Sequence, residues 1–166
     1  NVSHYILLCI YIKFSLNQFL FYIHILIMVK KVRIKSGDTE KKVPSKYVPK
    51  GLSAKDKKKQ VKSIIEKKDR PKVDSVKTKR SSHVIKFEKM YNKKITDKKW
   101  INDNLLKSAG QEEILKKGRG AYYSSGSRPN VSASAWAYAR LASALTAGKA
   151  KKVDKAIFDK YKVSRK

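Results

Sequence analysis

Apolar residues recur at helical spacing over much of the chain, and the helices that they predict are short. Val61, Ile64 and Ile65 fall on one side of a helix predicted over residues 53–68. Ser53, with an acidic residue three positions later, is typical of a capping box and marks the start of this helix. Its other positions are almost all Lys, so we expect the helix to depend on a packing partner.

The same spacing predicts five further helices after residue 80. One of them has particularly clear ends: Ser108 and Gln111 form a second capping-box pattern, and Gly118 suits the position that follows a helix. An Ala-rich helix over about 133–147 comes later and contains Trp136, which we interpret as a core residue rather than a base-stacking platform. The predicted helices begin near Ser82, near Thr96, at Ser108, near Ala133 and near Val153.

We therefore predict a mainly α protein, with a small helical C-terminal module that follows a Lys-rich arm and short helices. Residues 30–52 form the arm, where Pro44 and Pro49 forbid a helix and favour extended chain. Most of the aromatic residues after Met28 lie beyond residue 110, which places the expected core near the C-terminus. The predicted regions are an apolar segment 1–29, a basic extended arm 30–52, Lys-rich short helices 53–107, and a compact helical module 108–166 with a Gly/Ser/Tyr loop at 118–130.

The segment 1–29 contains one basic residue, Lys13, and no acidic residue. A helix over residues 5–29 would be about 37 Å long, enough for a hydrocarbon layer of about 30 Å, although Lys13 lies near its middle. Three interpretations stay open. The segment is a membrane anchor, a signal peptide, or sequence upstream of a start at Met28 that is not normally translated.

The chain has 41 Lys and Arg against 13 Asp and Glu, a formal net charge of +28 over 166 residues. Such an excess indicates an anionic partner, whether nucleic acid, an acidic protein surface or lipid headgroups. The basic residues are 34 Lys and only 7 Arg, which favours diffuse point charges over the bidentate contacts that read bases. The candidate basic surface consists of Lys57, Lys58, Lys59, Lys67, Lys68, Lys151 and Lys152.

The loop predicted at 118–130 is rich in Gly, Ser, Tyr and Arg, and it has two interpretations. It is either a cradle for an anion, or a structural loop in which both tyrosines fill the core, Gly126 has a positive φ, and Asn130 or Ser132 caps the next helix. We favour the structural interpretation. The candidate anion-binding or partner-binding residues are Lys117, Arg119, Tyr122, Tyr123, Ser124, Ser125, Ser127 and Arg128.

Catalytic and metal-binding patterns are missing from the sequence. The single cysteine, Cys9, excludes an internal disulfide, and His4, His24 and His83 have no acidic or Cys neighbours at ligand spacing. The acidic residues are scattered among lysines, where no general acid and base pair is expected. We therefore predict no metal, no cofactor, no small-molecule substrate and no enzymatic activity.

One set of motifs consists of the run 117–130, Trp136 with Ala-Arg-Leu-Ala-Ser at 139–143, Gly-Lys-Ala at 148–150 with Val153-Asp154, and the run 45–52. These motifs resemble an uncharacterised family of small basic proteins of large DNA viruses, including chlorella viruses, and of some phages. The resemblance covers most of 45–158. It implies a setting in a virion or a virus factory, and it carries no established activity to these residues.

Charge, the predicted arm and this setting lead to two expectations. The first is a minor capsid or capsid-associated protein that bridges acidic capsid or inner-membrane surfaces, with residues 5–29 as a candidate membrane contact. The second is a virion protein that binds and condenses DNA without sequence preference. We expect it at the inner surface or interior of the capsid, and in the host cytoplasm or virus factory during assembly.

Overall fold

The computed structural model describes residues 31–164, and these fold into two strands and seven α-helices, as the mainly α prediction requires. Within this range no helix is long and apolar enough to cross a membrane. The candidate membrane segment 5–29 lies outside the described residues. The elements are β1 Lys31–Ser36, β2 Thr39–Pro44, a 3-10 helix Ser45–Tyr47, α1 Ala54–Ile65, α2 Ser82–Tyr91, α3 Lys98–Asn104, α4 Ser108–Ser125, α5 Ala133–Leu145, α6 Lys149–Val153 and α7 Lys155–Tyr161.

The predicted basic arm is extended, but it is not a free arm. Strands β1 and β2 form an antiparallel hairpin in which Val32 lies opposite Val43. Ile34 and Val43 are buried, with 5% and 0% of their surfaces exposed, because alternate positions of the hairpin turn toward α1. The segment is therefore extended, as predicted, and packed against α1 as a pair of strands. The alternation of apolar and basic residues gives this segment one face to bury and one face in water.

A first hydrophobic core joins this hairpin to α1. The N-terminus of α1 is capped as predicted, since the Ser53 hydroxyl accepts the Asp56 N–H at 3.1 Å. Val61 and Ile64 of α1 pack onto the inward face of the hairpin. We call residues 31–65 the hairpin module. The first core consists of residues of this module together with Val73, and four partly buried residues pack against it. Its buried residues are Ile34, Val43, Tyr47, Val48, Leu52, Val61, Ile64 and Val73, and the residues packed against them are Val32, Ile65, Val76 and Trp136.

A second core lies among helices α2 to α7. It contains Val84, Phe87 and Ile101 as well as residues from the predicted C-terminal module, so the structure has no boundary at 107/108. The expectation of a single C-terminal core is wrong for this reason. Trp136 is half-buried and meets Tyr47 edge-on, with ring centroids 5.9 Å apart, which connects α5 to the core of the hairpin module.

Helix α4 continues to Ser125, through the first eight residues of the predicted loop. Gly118, which we expected to end the helix, lies inside it where α4 crosses α5. A Cβ built on Gly118 would lie 2.6 Å from the Ala137 Cα, so this glycine permits the close contact of the two helices. The buried positions Leu115, Gly118 and Tyr122 keep the helical spacing across the glycine.

Candidate functional site

Tyr122 is the largest fully buried side chain of the predicted anion-binding segment. Its surface is 0% exposed, and its hydroxyl accepts the backbone N–H of Arg70 at 2.8 Å and donates to the Val131 carbonyl at 3.0 Å. The Arg70 guanidinium lies 4.7 Å from the Tyr122 ring centroid. Tyr122 therefore fills the core, as the structural interpretation predicts, and its hydroxyl also joins α4 to Arg70 and Val131.

The end of α4 is capped by side chains from the N-terminal half of the protein. Arg70 donates to the Tyr122 carbonyl at 2.7 Å, and Lys41 donates to the Ser124 carbonyl. Burial lowers the pKa of both basic groups. Cations at a helix C-terminus offset the partial negative charge of its free carbonyls. Arg70 and Lys41 therefore bind backbone carbonyls of the protein itself.

Asn130 holds the polar connection between α1 and α2 in place. Its side-chain amide donates to the Val73 carbonyl at 2.9 Å and the Val76 carbonyl at 2.8 Å, and its side-chain oxygen accepts the Val73 N–H at 2.7 Å. Its φ is +60°, and Gly126 nearby has a φ of +90°. Ser132 caps α5 by accepting the Ala135 N–H at 3.1 Å, so the structural interpretation holds for Gly126 and Ser132.

The remaining candidates of this segment do not meet around a common point. Ser127 is buried and Ser124 and Ser125 are exposed. Tyr123 is partly exposed rather than in the core, and its hydroxyl donates to Asp69 at 3.0 Å, a hydrogen bond that raises the pKa of Tyr123. The basic candidates pair or stay at the surface: Lys117 lies 3.8 Å from Asp154, Arg119 lies 3.9 Å from Glu112, and Arg128 has no acidic partner among residues 31–164.

The seven lysines of the candidate basic surface lie on separate parts of the fold. Lys57, Lys58 and Lys59 are on α1, Lys67 and Lys68 follow it, and Lys151 and Lys152 are on α6. Two of them have local partners. Lys68 lies 2.9 Å from Glu66, and the Lys151 ammonium lies 4.9 Å from the centroid of the Phe158 ring. These residues are therefore not one continuous binding surface.

The structure instead groups basic residues into two faces of the hairpin module. The outward side of α1, opposite Val61 and Ile64, forms the helix face. The outward side of the two strands, opposite Ile34 and Val43, forms the hairpin face. The hairpin face was not predicted, although Lys31, Arg33 and Lys35 recur at every second position, which is the signal of a strand. The helix face is Lys55, Lys58, Lys59 and Lys62, and the hairpin face is Lys31, Arg33, Lys35 and Lys42.

Most of the described acidic side chains form an ion pair or a hydrogen bond with another residue of the chain. Asp154 is 1% exposed and accepts two hydrogen bonds from Arg140, at 2.7 and 2.8 Å. Residues 31–164 contain 37 Lys and Arg against 13 Asp and Glu, so most basic residues have no acid to pair with. Within the same residues no three His, Cys, Asp or Glu side chains lie close enough together to hold a metal ion. Carboxylates with an ion-pair or hydrogen-bond partner are Glu40, Asp56, Glu66, Asp69, Glu88, Asp97, Glu112, Glu113, Asp154 and Asp159.

A small cavity of about 200 Å³ opens on the helical half of the protein. Tyr91 and Trp100 contribute aromatic walls, Leu105 and Val163 contribute aliphatic walls, and the rest of the lining is polar. The polar lining residues are Asp103, Asn104 and Ser164. The two aromatic rings have centroids 5.5 Å apart. The cavity is large enough for a single side chain of another protein and lies apart from the two basic faces.

One comparison with known proteins finds a match. Residues 44–162 match a family described as a family of unknown function (DUF5824), which is more than half of the chain. The matched residues include the helix face and all seven helices, and they begin at the last residue of β2. No curated protein and no solved structure matches the chain.

Proposed function

We propose that this chain, which belongs to the DUF5824 family of unknown function, is a non-enzymatic basic structural protein of a large DNA virus particle that binds DNA without sequence preference. The observation that carries the proposal is the composition of the two basic faces. They expose seven lysines and Arg33, and no apolar side chain other than Pro44 accompanies them on the hairpin side.

Lysine faces suit a phosphate backbone better than a protein surface. Protein interfaces are depleted of Lys and enriched in aromatic residues, Met and Arg, whereas DNA attracts hydrated point charges along its whole length. The predicted extended arm is one ground for the capsid expectation, and residues 31–52 are instead packed within the hairpin module. The geometry therefore supports DNA as the main partner.

Arginine use supports binding without base recognition. Four of the six described arginines have a carboxylate partner within 4 Å, and Arg70 is 6% exposed. Arg33, Arg80 and Arg119 are exposed but lie on separate parts of the described fold, so they do not form a group that could read adjacent bases together. The paired arginines are Arg33, Arg80, Arg119 and Arg140.

The absence of enzymatic activity in this proposal has support from the tyrosines. Tyr122 is buried, and its hydroxyl both accepts and donates a hydrogen bond within the protein, so this hydroxyl is not accessible as a nucleophile. The Tyr123 hydroxyl donates a hydrogen bond to Asp69, and this hydrogen bond raises the pKa of Tyr123 and disfavours the phenolate. Neither side chain is arranged as an activated nucleophile.

The second candidate function is that of a minor capsid or capsid-associated protein. The observation that favours it is the cavity beside Tyr91 and Trp100, because an aromatic-walled pocket on a polar surface suits an apolar anchor of a protein partner. In this case the helical half would dock on a capsid protein, and the basic faces would lie along an acidic capsid or inner-membrane surface.

The location of the protein in purified particles tests the proposal. After mild removal of the shell, we expect the protein to co-purify with the genome and to dissociate from it as the salt concentration rises. Ordered density for residues 31–164 in the capsid shell, together with a genome free of the protein, would overturn DNA binding and support the capsid function. Gel shifts at low salt are weaker, since a protein of charge +28 binds any polyanion there.

A further inference from the structure

We propose that the hairpin module bridges two segments of duplex DNA, with the helix face on one segment and the hairpin face on the other. The inference rests on the proposed function and adds to it a mechanism of condensation. A protein with one basic face coats DNA, whereas a protein with two opposed faces holds two duplexes together.

The two faces are directed away from each other because the core of the hairpin module lies between them. Ile34 and Val43 project from one side of the sheet, and Val61 and Ile64 project from one side of α1 toward them. Packed layers of this kind lie about 10 Å apart. The lysines on the outer side of each layer therefore point in opposite directions, and one straight duplex cannot contact both sets.

Each face matches the charge spacing of a DNA strand. From Lys55 to Lys62 the helix rises about 10 Å, and from Lys31 to Lys35 the strand advances about 13 Å. A DNA strand carries one phosphate per 3.4 Å of helix axis, so about four phosphates fall within either length. Each face presents four basic residues over this distance. Glu40, which lies 3.7 Å from Arg33, is the acidic residue of the outward hairpin side.

Both faces place like charges next to each other in the free protein. Arg33 lies directly opposite Lys42 in the strand register, a pairing that is unfavourable in a sheet. On α1, Lys55 and Lys59 are four residues apart, as are Lys58 and Lys62, and like charges at this spacing destabilise a helix. A polyanion on each face relieves this repulsion.

A two-duplex capture assay tests the proposal with the full chain. One duplex is fixed to beads, the protein is bound at physiological ionic strength, and the capture of a second, fluorescent duplex of unrelated sequence is measured. The hairpin-face variant changes Lys31, Arg33, Lys35 and Lys42 to Gln, and the helix-face variant changes Lys55, Lys58, Lys59 and Lys62 to Gln. A control variant changes four exposed lysines of α2, α4, α6 and the α2–α3 turn to Gln. These control positions are Lys89, Lys93, Lys116 and Lys149.

We expect each face variant to keep its circular dichroism spectrum and to bind the first duplex with an affinity lowered only by a small factor. Capture of the second duplex should fall to the level of beads without protein, while the control variant captures it like the wild type. The proposal is overturned if both face variants capture the second duplex normally. It is also overturned if one face variant loses the first duplex, because both faces would then serve one duplex.

Two further outcomes separate this proposal from the proposed function. If the wild-type protein binds the first duplex but never captures a second, bridging is wrong and DNA binding stands. If the wild-type protein binds no duplex at physiological ionic strength and instead binds beads coated with polyglutamate, both proposals are wrong and an acidic protein surface is the partner.

Discussion

The buried hydroxyl of Tyr122 gives the sharpest test of how α4 is joined to the connection that follows α1. In Tyr122→Phe the ring stays and one oxygen is lost. The Arg70 N–H then has no acceptor in a site where the tyrosine is 0% exposed and Arg70 is 6% exposed. The Val131 carbonyl loses its donor but is only partly buried, so water can replace the hydroxyl there.

The magnitude follows from these two groups. A buried donor left without an acceptor costs about 1–3 kcal/mol, and the loss of the partly buried hydrogen bond costs about 0.5–1.5 kcal/mol. We therefore expect Tyr122→Phe to lower the free energy of unfolding by about 2–4 kcal/mol. In a chain of this size, that corresponds to a fall in Tm of roughly 4–16 °C. Urea denaturation followed by circular dichroism measures the first quantity, and a thermal melt measures the second.

Tyr123→Phe is the matched control, because it removes the same atom from the next residue. The Tyr123 hydroxyl donates to Asp69 at an exposed position, where water replaces it. We expect a change within about 0.5 kcal/mol. The reasoning is refuted if the two variants lose similar stability, or if Tyr122→Phe unfolds like the wild type. DNA affinity measured well below both melting temperatures should be equal in the two variants, since neither tyrosine lies on a basic face.

Two other predictions concern the crossing of α4 and α5 and the pH dependence of α1. Gly118→Ala should lower the free energy of unfolding by about 1–3 kcal/mol, because its Cβ would lie 2.6 Å from the Ala137 Cα. Gly120→Ala, two residues on with no atom within 4 Å, should raise it by about 0.5–1 kcal/mol, and equal thermal melts would contradict the assigned crossing. The hydrogen bond that Ser75 donates to Asp56 is the main cause that lowers the pKa of Asp56 below 3.8. The ionised Asp56 carboxylate therefore stabilises the folded protein above pH 3.8, and this stabilisation is lost as the pH falls through the lowered pKa. Ser75→Ala should raise the Asp56 pKa toward 3.8 in a carboxyl NMR titration, and an unchanged pKa would show that this hydrogen bond does not form in solution.

The sequence by itself determined the features that depend on neighbouring residues. The helical class, the start of α1 after Ser53, the cap of α5 at Ser132 and the positive φ of Gly126 all follow from residues within one or two turns. The charge excess is equally a property of the sequence alone. These predictions are correct because capping and turn geometry are local interactions.

The capping box predicted at Ser108 and Gln111 is wrong, since Lys107 is the N-cap of α4 without a side-chain hydrogen bond. The Gln111 amide instead donates to the Leu106 and Lys98 carbonyls, the second of which belongs to the preceding helix.

Only the tertiary structure decided the length of α4 and the state of residues 31–52. Gly118 ends a helix by local rules, yet here it lets α4 approach Ala137, and the carbonyls at the end of α4 are capped by Lys41 and Arg70 from distant positions. The hairpin likewise buries Ile34 only because α1 covers it. The opposition of the two basic faces has the same origin. Which side of an element meets water is fixed by what packs on its other side, and such contacts join residues far apart in the chain.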